Sequence, residues 1–95
     1  MQTISISVKE AEQYLKDHDR HYKTGAEPIC AIGVGEPGGP NDLPELRGAA
    51  ILGRRQDGDA ELAHIYVDGT FQGYSILYGA CWRALKALGY KRAVL

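Results

Sequence analysis

The chain opens with a two-residue period of apolar side chains and then changes to a helical period. Residues 2–7 alternate apolar and polar side chains, which predicts a half-buried strand. Ser7 and Glu10 have the spacing of a capping box, so a helix is expected to begin there and to run to about Asp17. Its apolar stripe, at helical spacing, comprises Val8, Ala11, Tyr14 and Leu15.

The middle of the chain predicts three strands. Residues 29–34 and 48–53 are nearly continuous apolar runs, which are typical of strands covered on both faces. Three prolines and three glycines in residues 35–45 predict a surface loop between them. Asp57-Gly58 predicts a hairpin turn into a third strand, residues 61–67. Simple alternation in this strand places Leu62, His64 and Tyr66 on one face and Ala63, Ile65 and Val67 on the other.

The last third of the chain predicts a strand, a glycine-bearing turn and an amphipathic helix. The predicted helix covers residues 76–88, with Ser75 as its N-cap and Gly89 as its left-handed C-cap. Residues 91–95 predict one more strand. The apolar stripe expected in the core comprises Leu77, Cys81, Ala84, Leu85 and Leu88.

These elements predict a single domain, residues 1–95, of the α/β (α+β) class. Its sheet is expected to be mixed and mostly antiparallel, in the order β-α-β-β-β-α-β. A net charge of −1 excludes a global basic field that would attract nucleic acid. No apolar run reaches the roughly 18 residues of a membrane span. Without a signal-peptide pattern, Cys30 and Cys81 predict reduced thiols in a cytoplasmic protein.

Four segments together resemble a known superfamily. They are His18-Asp19-Arg20-His21-Tyr22, Leu52-Gly53-Arg54, Val67-Asp68-Gly69-Thr70, and Ser75-Ile76-Leu77-Tyr78-Gly79-Ala80-Cys81-Trp82-Arg83-Ala84. With the order of elements, they resemble the GNAT superfamily of acetyl-CoA-dependent N-acetyltransferases, and most closely its short phage and mobile-element relatives. The resemblance covers nearly the whole chain. It implies a partial GNAT-like fold, because the superfamily continues through another helix and strand after the fifth strand.

The resemblance also implies where acetyl-CoA would bind. In the superfamily the turn before this helix carries Gln/Arg-x-x-Gly-x-Gly/Ala, and its backbone N–H groups hold the pyrophosphate. The corresponding cofactor-binding residues here are Val67, Gly73, Tyr74, Ser75 and Ile76. The sequence departs from the pattern, since Gly69 and Gly73 are the only glycines in residues 68–75 and Tyr74 replaces a small residue.

Four residues are candidates for catalysis. The resemblance makes His64 the general base for the amine and Tyr78 the general acid for the leaving thiolate. His18 and His21, with Asp19 between them, are spaced for an acid–base or metal-binding cluster. The acid–base interpretation is preferred, and no metal site is predicted.

Three functions are compatible with these residues. The first is a GNAT-like acyltransferase, or a coenzyme-A-binding remnant of one, that transfers an acetyl group to an amine of a small molecule or a nucleic acid. The second is a phage-type DNA-base-modifying enzyme in which the histidine cluster is central and phosphates contact Arg20, Lys23, Arg54 and Arg55. The third is a non-enzymatic dimeric binding or regulatory protein. A homodimer is expected because an unfinished sheet leaves an uncovered strand edge.

Overall fold

A computed structural model describes residues 2–18, 27–36, 45–69 and 71–94 of the chain. Its elements in chain order are β1 (Gln2–Ile6), α1 (Val8–Asp17), β2 (Glu27–Glu36), β3 (Glu45–Arg54), β4 (Ala60–Val67), α2 (Phe71–Ala87) and β5 (Ala93–Val94). The predicted α+β class and mostly antiparallel mixed sheet are confirmed. The predicted order is matched in part, because α2 begins earlier than expected and β5 has only two residues.

The sheet has the strand order β1-β2-β3-β4-β5. The first four strands pair antiparallel, whereas β5 pairs parallel to β4 and only at Ala60 and Glu61. The central position of β3 explains its sequence. Residues 48–53 are buried throughout, so both faces of this strand require apolar or small side chains.

One helix covers each face of the sheet. The face under α2 contains a buried cluster whose members all lack charge: Val34, Ala50, Leu52, Ala60, Val67, Leu77, Cys81 and Leu85. The opposite face, under α1, contains a second cluster: Ala11, Tyr14, Leu15, Ala31, Ala49 and Ile51. These two surfaces are called the α2 face and the α1 face below.

An irregularity in β4 changes which residues share a face. Ile51 pairs with His64 but Leu52 pairs with Leu62, so Ala63 is an extra residue in β4. Such a bulge interrupts the alternation of side chains. Leu62 therefore packs with the α2-face cluster, while Ala63 and Tyr66 pack with the α1-face cluster. The prediction that Leu62 shares a face with His64 and Tyr66 is wrong, because simple alternation contains no bulge.

Local capping fixes the start of α1 and the end of α2 as the sequence predicts. The Ser7 hydroxyl accepts from the Glu10 N–H at 3.0 Å, and the Glu10 carboxylate accepts from the Ser7 N–H at 3.1 Å. Gly89 has a positive φ of 92°. The N–H of Tyr90 donates to the carbonyl of Leu85, which closes a left-handed cap after α2.

The start of α2 and the exposure of its last turn differ from the prediction. The helix begins at Phe71, so Ser75 lies inside it and is not the N-cap. Leu88 follows the helix and is 54% exposed, although it was expected in the core. Neither helix of the described chain is long and apolar enough to cross a membrane.

Candidate functional site

Three rings meet on the α1 face between the end of α1 and the last residues of β4. The rings of Tyr14 and His18 have centroids 4.2 Å apart, and the Tyr66 ring lies 5.6 Å from His18 and 6.4 Å from Tyr14. Helical spacing places the first two one turn apart on α1, and the sheet supplies the third. Tyr14, His18 and Tyr66 are called the aromatic cluster.

The hydrogen bond of His18 determines which of its nitrogens is available as a base. Its Nδ1 lies 2.9 Å from the carbonyl oxygen of Tyr14. A carbonyl oxygen only accepts, so Nδ1 carries the proton and donates. In the neutral ring Nε2 then has the free lone pair, which is the arrangement of a general base.

Tyr14 contributes a buried hydroxyl. The residue is only 8% exposed, and its hydroxyl oxygen has no hydrogen-bond partner in the described part of the chain. Burial, followed by the negative charge of Asp68, raises the pKa of Tyr14 to about 12, while the positive charge of Arg47 opposes this rise. The phenol therefore stays protonated near neutral pH and acts as a hydrogen-bond donor.

Arg47, whose positive charge acts on Tyr14, contributes a second buried donor. Its Nε is buried and lacks a hydrogen-bond partner within the described residues. Its Nη1 lies 3.5 Å from a carboxylate oxygen of Glu45, an exposed ion pair that is worth little in stability. The N–H of Asp68 donates to the carbonyl of Arg47 at 2.8 Å, which joins the first residues of β3 to the residue after β4.

The structure brings together some of the predicted catalytic residues and separates others. His64 is half-buried in β4 and shares the α1 face with Tyr66, which contacts His18. Tyr78 lies on α2, on the other side of the sheet, and is 40% exposed. His21 and Asp19 lie outside the described residues. Elsewhere in the described chain, no group of three His, Cys, Asp or Glu side chains is arranged to hold a metal ion.

The predicted cofactor-binding residues occupy the junction between β4 and α2. Val67 ends β4 and is buried on the α2 face. Gly73 and Tyr74 lie in the first turn of α2. Ser75 and Ile76 lie beyond the first four residues, where backbone N–H groups bond to carbonyls of the preceding turn. The earlier start of the helix thus reduces the predicted set of backbone donors.

Gly69, in the turn after β4, is exposed. Gly69 has a positive φ of 78°, and a Cβ built on it would meet no atom within 4 Å. The first turn of α2 contains no acidic residue, so no side chain there opposes an anion. These features are compatible with the approach of a phosphate group to the backbone.

Sequence reasoning missed part of the polar site. It assigned Tyr14 to the core stripe of α1, which is correct for the ring but overlooks the hydroxyl at its end. It did not single out Arg47, although a cation beside the long apolar run of β3 is a signal. A separate pocket of about 160 Å³ lies at the other end of the sheet and is lined by Glu27, Pro28, Ile29 and Arg54. It contains none of the predicted catalytic or cofactor-binding residues, although Arg54 is a predicted phosphate contact of the DNA-modifying alternative.

The chain was compared with models of protein families, with curated proteins and with solved structures, and none of the three comparisons gave a match.

Proposed function

We propose that the protein binds acetyl-CoA along the outer edge of β4 and at the start of α2, and transfers its acetyl group to an amine. One observation carries this proposal. β5 pairs with β4 only at Ala60 and Glu61, so within the described residues no strand borders residues 62–67 on that side. The same part of β4 leads directly through the Asp68-Gly69 turn into α2. An extended arm and a phosphate group therefore have adjacent places to bind.

Each part of the ligand corresponds to a feature of this junction. The pantetheine arm of coenzyme A carries amide groups, which bind a strand edge as an added strand does. Its phosphates would lie at Gly69 and the first turn of α2, near Gly73 and Tyr74, where the helix dipole favours an anion. Ser75 and Ile76 would support this turn from within the helix.

The proposed catalytic residues lie on both faces of the sheet. His64 on the α1 face would accept the proton of the amine, and His18 is a second base on that face. Tyr78 on α2 would donate a proton to the leaving thiolate. A ligand that lies along a sheet edge is accessible from both faces, so a base and an acid on opposite sides are compatible with one reaction. Most of the rate acceleration would come from holding amine and thioester together.

Isothermal titration with acetyl-CoA tests the proposal. Gln72→Glu adds a negative charge in the exposed first turn of α2, and it should weaken binding by about two- to fivefold, the size of a helix-terminus charge effect. Gln56→Glu makes the same change in the exposed turn before β4 and should leave affinity unaltered. Absence of binding heat at millimolar acetyl-CoA, or equal effects of the two variants, would contradict the proposal.

Self-association and a cytoplasmic location belong to the same proposal. Tyr78 is exposed and Trp82 is half-exposed one turn later on α2, where aromatic side chains favour an interface. Lys86 lies 5.3 Å from the Trp82 ring and covers part of it. We expect a homodimer through this side of α2, in a compartment where Cys30 and Cys81 stay as free thiols. A monomer at all concentrations in sedimentation equilibrium would exclude the dimer.

A further inference from the structure

The charges of the chain are divided unevenly along its sequence. All 12 acidic residues lie at or before Asp68, so residues 69–95 contain none. The same last segment carries four cations, which are Arg83, Lys86, Lys91 and Arg92. The net charge of −1 therefore combines an acidic part with a basic part. An asymmetry of this kind is a signal of a partner that carries many negative charges.

Two of these cations lie on α2 beside exposed aromatic rings. Tyr78, Trp82 and Lys86 follow one another at intervals of four residues, so they share one side of the helix. Tyr78 is 40% exposed, Trp82 is half-exposed, and Lys86 Nζ lies 5.3 Å from the centre of the Trp82 ring. A Cβ built on Gly79 would be 3.2 Å from Nη1 of Arg83, so this guanidinium lies along the surface of the same helix. Tyr78, Trp82, Arg83 and Lys86 are called the basic aromatic side of α2.

The other helix shows what an ordinary solvated surface of this protein contains. On α1 the exposed residues carry both signs, since Lys9 and Lys16 alternate with Glu10, Glu12 and Asp17. Mixed charges of this kind keep a helix in solution without favouring a particular partner. The sequence of α2 contains cations and no acidic residue. Its charge is therefore complementary to an anionic partner, whereas that of α1 is not.

The aromatic rings narrow the chemistry of that partner. A single strand of nucleic acid pairs its phosphates with Arg and Lys and stacks its bases on aromatic side chains. An acidic protein segment would pair with the cations but has no flat rings to place on Tyr78 and Trp82. A duplex keeps its bases stacked inside the helix. RNA ordinarily presents unpaired bases in loops and at ends, and its 2′-hydroxyls can bond to the exposed hydroxyls of Ser75 and Tyr78.

We propose that the basic aromatic side of α2 binds single-stranded RNA, with bases on Tyr78 and Trp82 and phosphates at Arg83 and Lys86. The inference goes beyond the proposed function, because this binding requires neither acetyl-CoA nor an amine. It uses the side of α2 that is expected to form the homodimer. RNA and a second copy of the chain therefore compete for this surface.

The fluorescence of the full chain tests the proposal. Trp82 is the only tryptophan, so its emission reports events on the basic aromatic side. Oligouridine of about ten nucleotides should quench this emission saturably. Polyglutamate of the same length carries negative charge without bases and should quench it little. For two phosphate contacts on a single strand, log K should fall against log salt with a slope of about −1.4.

Matched charge variants locate the binding surface. Arg83→Gln together with Lys86→Gln removes both cations from α2, and it should weaken binding by about tenfold and nearly abolish the salt dependence. Lys9→Gln together with Lys16→Gln makes the same change of charge on α1 and should leave the affinity unaltered.

An aromatic variant tests the stacking. Trp82→Leu removes the fluorescent ring, so its binding is measured by the anisotropy of labelled oligouridine. The affinity should fall by about fivefold or more, the size of one lost base stack. The charge variants keep both aromatic rings, so they test the proposal independently of any effect of Trp82→Leu on folding.

Several results would overturn the inference. Absence of saturable quenching would exclude RNA, and equal affinity for polyglutamate would identify an acidic protein segment as the partner. Equal effects of the two pairs of charge variants would exclude this surface. Equal affinity for oligodeoxythymidine would overturn the choice of RNA, and a complex of RNA with an intact dimer would overturn the competition.

The outcomes also separate this inference from the proposed function. RNA binding without acetyl-CoA binding supports the inference alone, and acetyl-CoA binding without RNA binding supports the proposed function alone.

Discussion

The two faces of the sheet are built from different kinds of side chain. The α2 face is an apolar layer whose largest members, Leu52, Leu77 and Leu85, are completely buried. The α1 face also buries apolar groups, but it adds the aromatic cluster, the Tyr14 hydroxyl, which has no partner among the described residues, and His64. A chain of this size buries a small core, so polar groups inside it are costly. The difference indicates that the α2 face is an apolar layer, whereas the α1 face also contains polar side chains among its buried apolar groups.

The largest expected effect tests the role of the α2 face. Leu77→Ala removes a completely buried side chain and should lower the free energy of unfolding by about 2–5 kcal/mol. Leu88→Ala is the control on the same segment, because this side chain is 54% exposed, and it should change stability by less than about 0.5 kcal/mol. Urea unfolding measures both. Similar losses for the two variants would mean that α2 is not a stabilising layer.

A smaller effect concerns the attachment of α1, which carries two members of the aromatic cluster. Ser7→Ala removes the side-chain acceptor of the capping box and should cost about 1 kcal/mol in unfolding free energy. Ser5→Ala, an exposed position in β1, should cost less than about 0.5 kcal/mol. If the two variants unfold at the same urea concentration, the cap contributes nothing to α1.

The smallest expected change in stability at neutral pH is the clearest test of how the two faces differ. Tyr14→Phe deletes a buried hydroxyl without a described partner, so stability should be unchanged or higher by about 1 kcal/mol. A buried side chain on a purely structural face would be expected to lose stability when atoms are removed. A clear loss of stability in this variant would show that the hydroxyl already has a structural partner.

The same residue predicts a loss of stability in alkali. Its pKa is raised from 10.0 to about 12 in the folded chain. Between these pH values the unfolded chain releases the Tyr14 proton while the folded chain keeps it, so unfolding is favoured as pH rises. The contribution is fully present below pH 10.0 and is lost by about pH 12. The free energy of unfolding, measured with urea across this pH range, should fall less steeply for Tyr14→Phe than for the unchanged chain. Identical slopes would contradict the raised pKa.

Local sequence signals predicted the elements whose formation depends on neighbouring residues. The Ser7–Glu10 capping box and the left-handed Gly89 were both correct, because a cap requires contacts only within a few positions. The predicted start of α2 is too late, because Ser75 is of a residue type that is favoured at N-caps but lies within the helix. Propensity at a helix start is weak when the flanking residues are packed on a sheet.

The candidate site is formed by contacts between residues far apart in the chain, so local sequence patterns did not predict its arrangement. The bulge at Ala63 is a property of the pairing of β3 with β4, and it decides that His64 and Tyr66, but not Leu62, share the α1 face. The contact of the Tyr14 and His18 rings with the Tyr66 ring likewise arises only when α1 packs on the sheet.

By itself the sequence determined the α+β class, the N-terminal cap of α1, the C-terminal cap of α2, the buried run of β3 and the apolar stripe of α1, since periodicity and capping act over short distances. The tertiary structure decided the faces of β4, the two-residue extent of β5 and the meeting of the rings of Tyr14, His18 and Tyr66. These features are set by strand register and by the packing of separate elements, which no local pattern encodes.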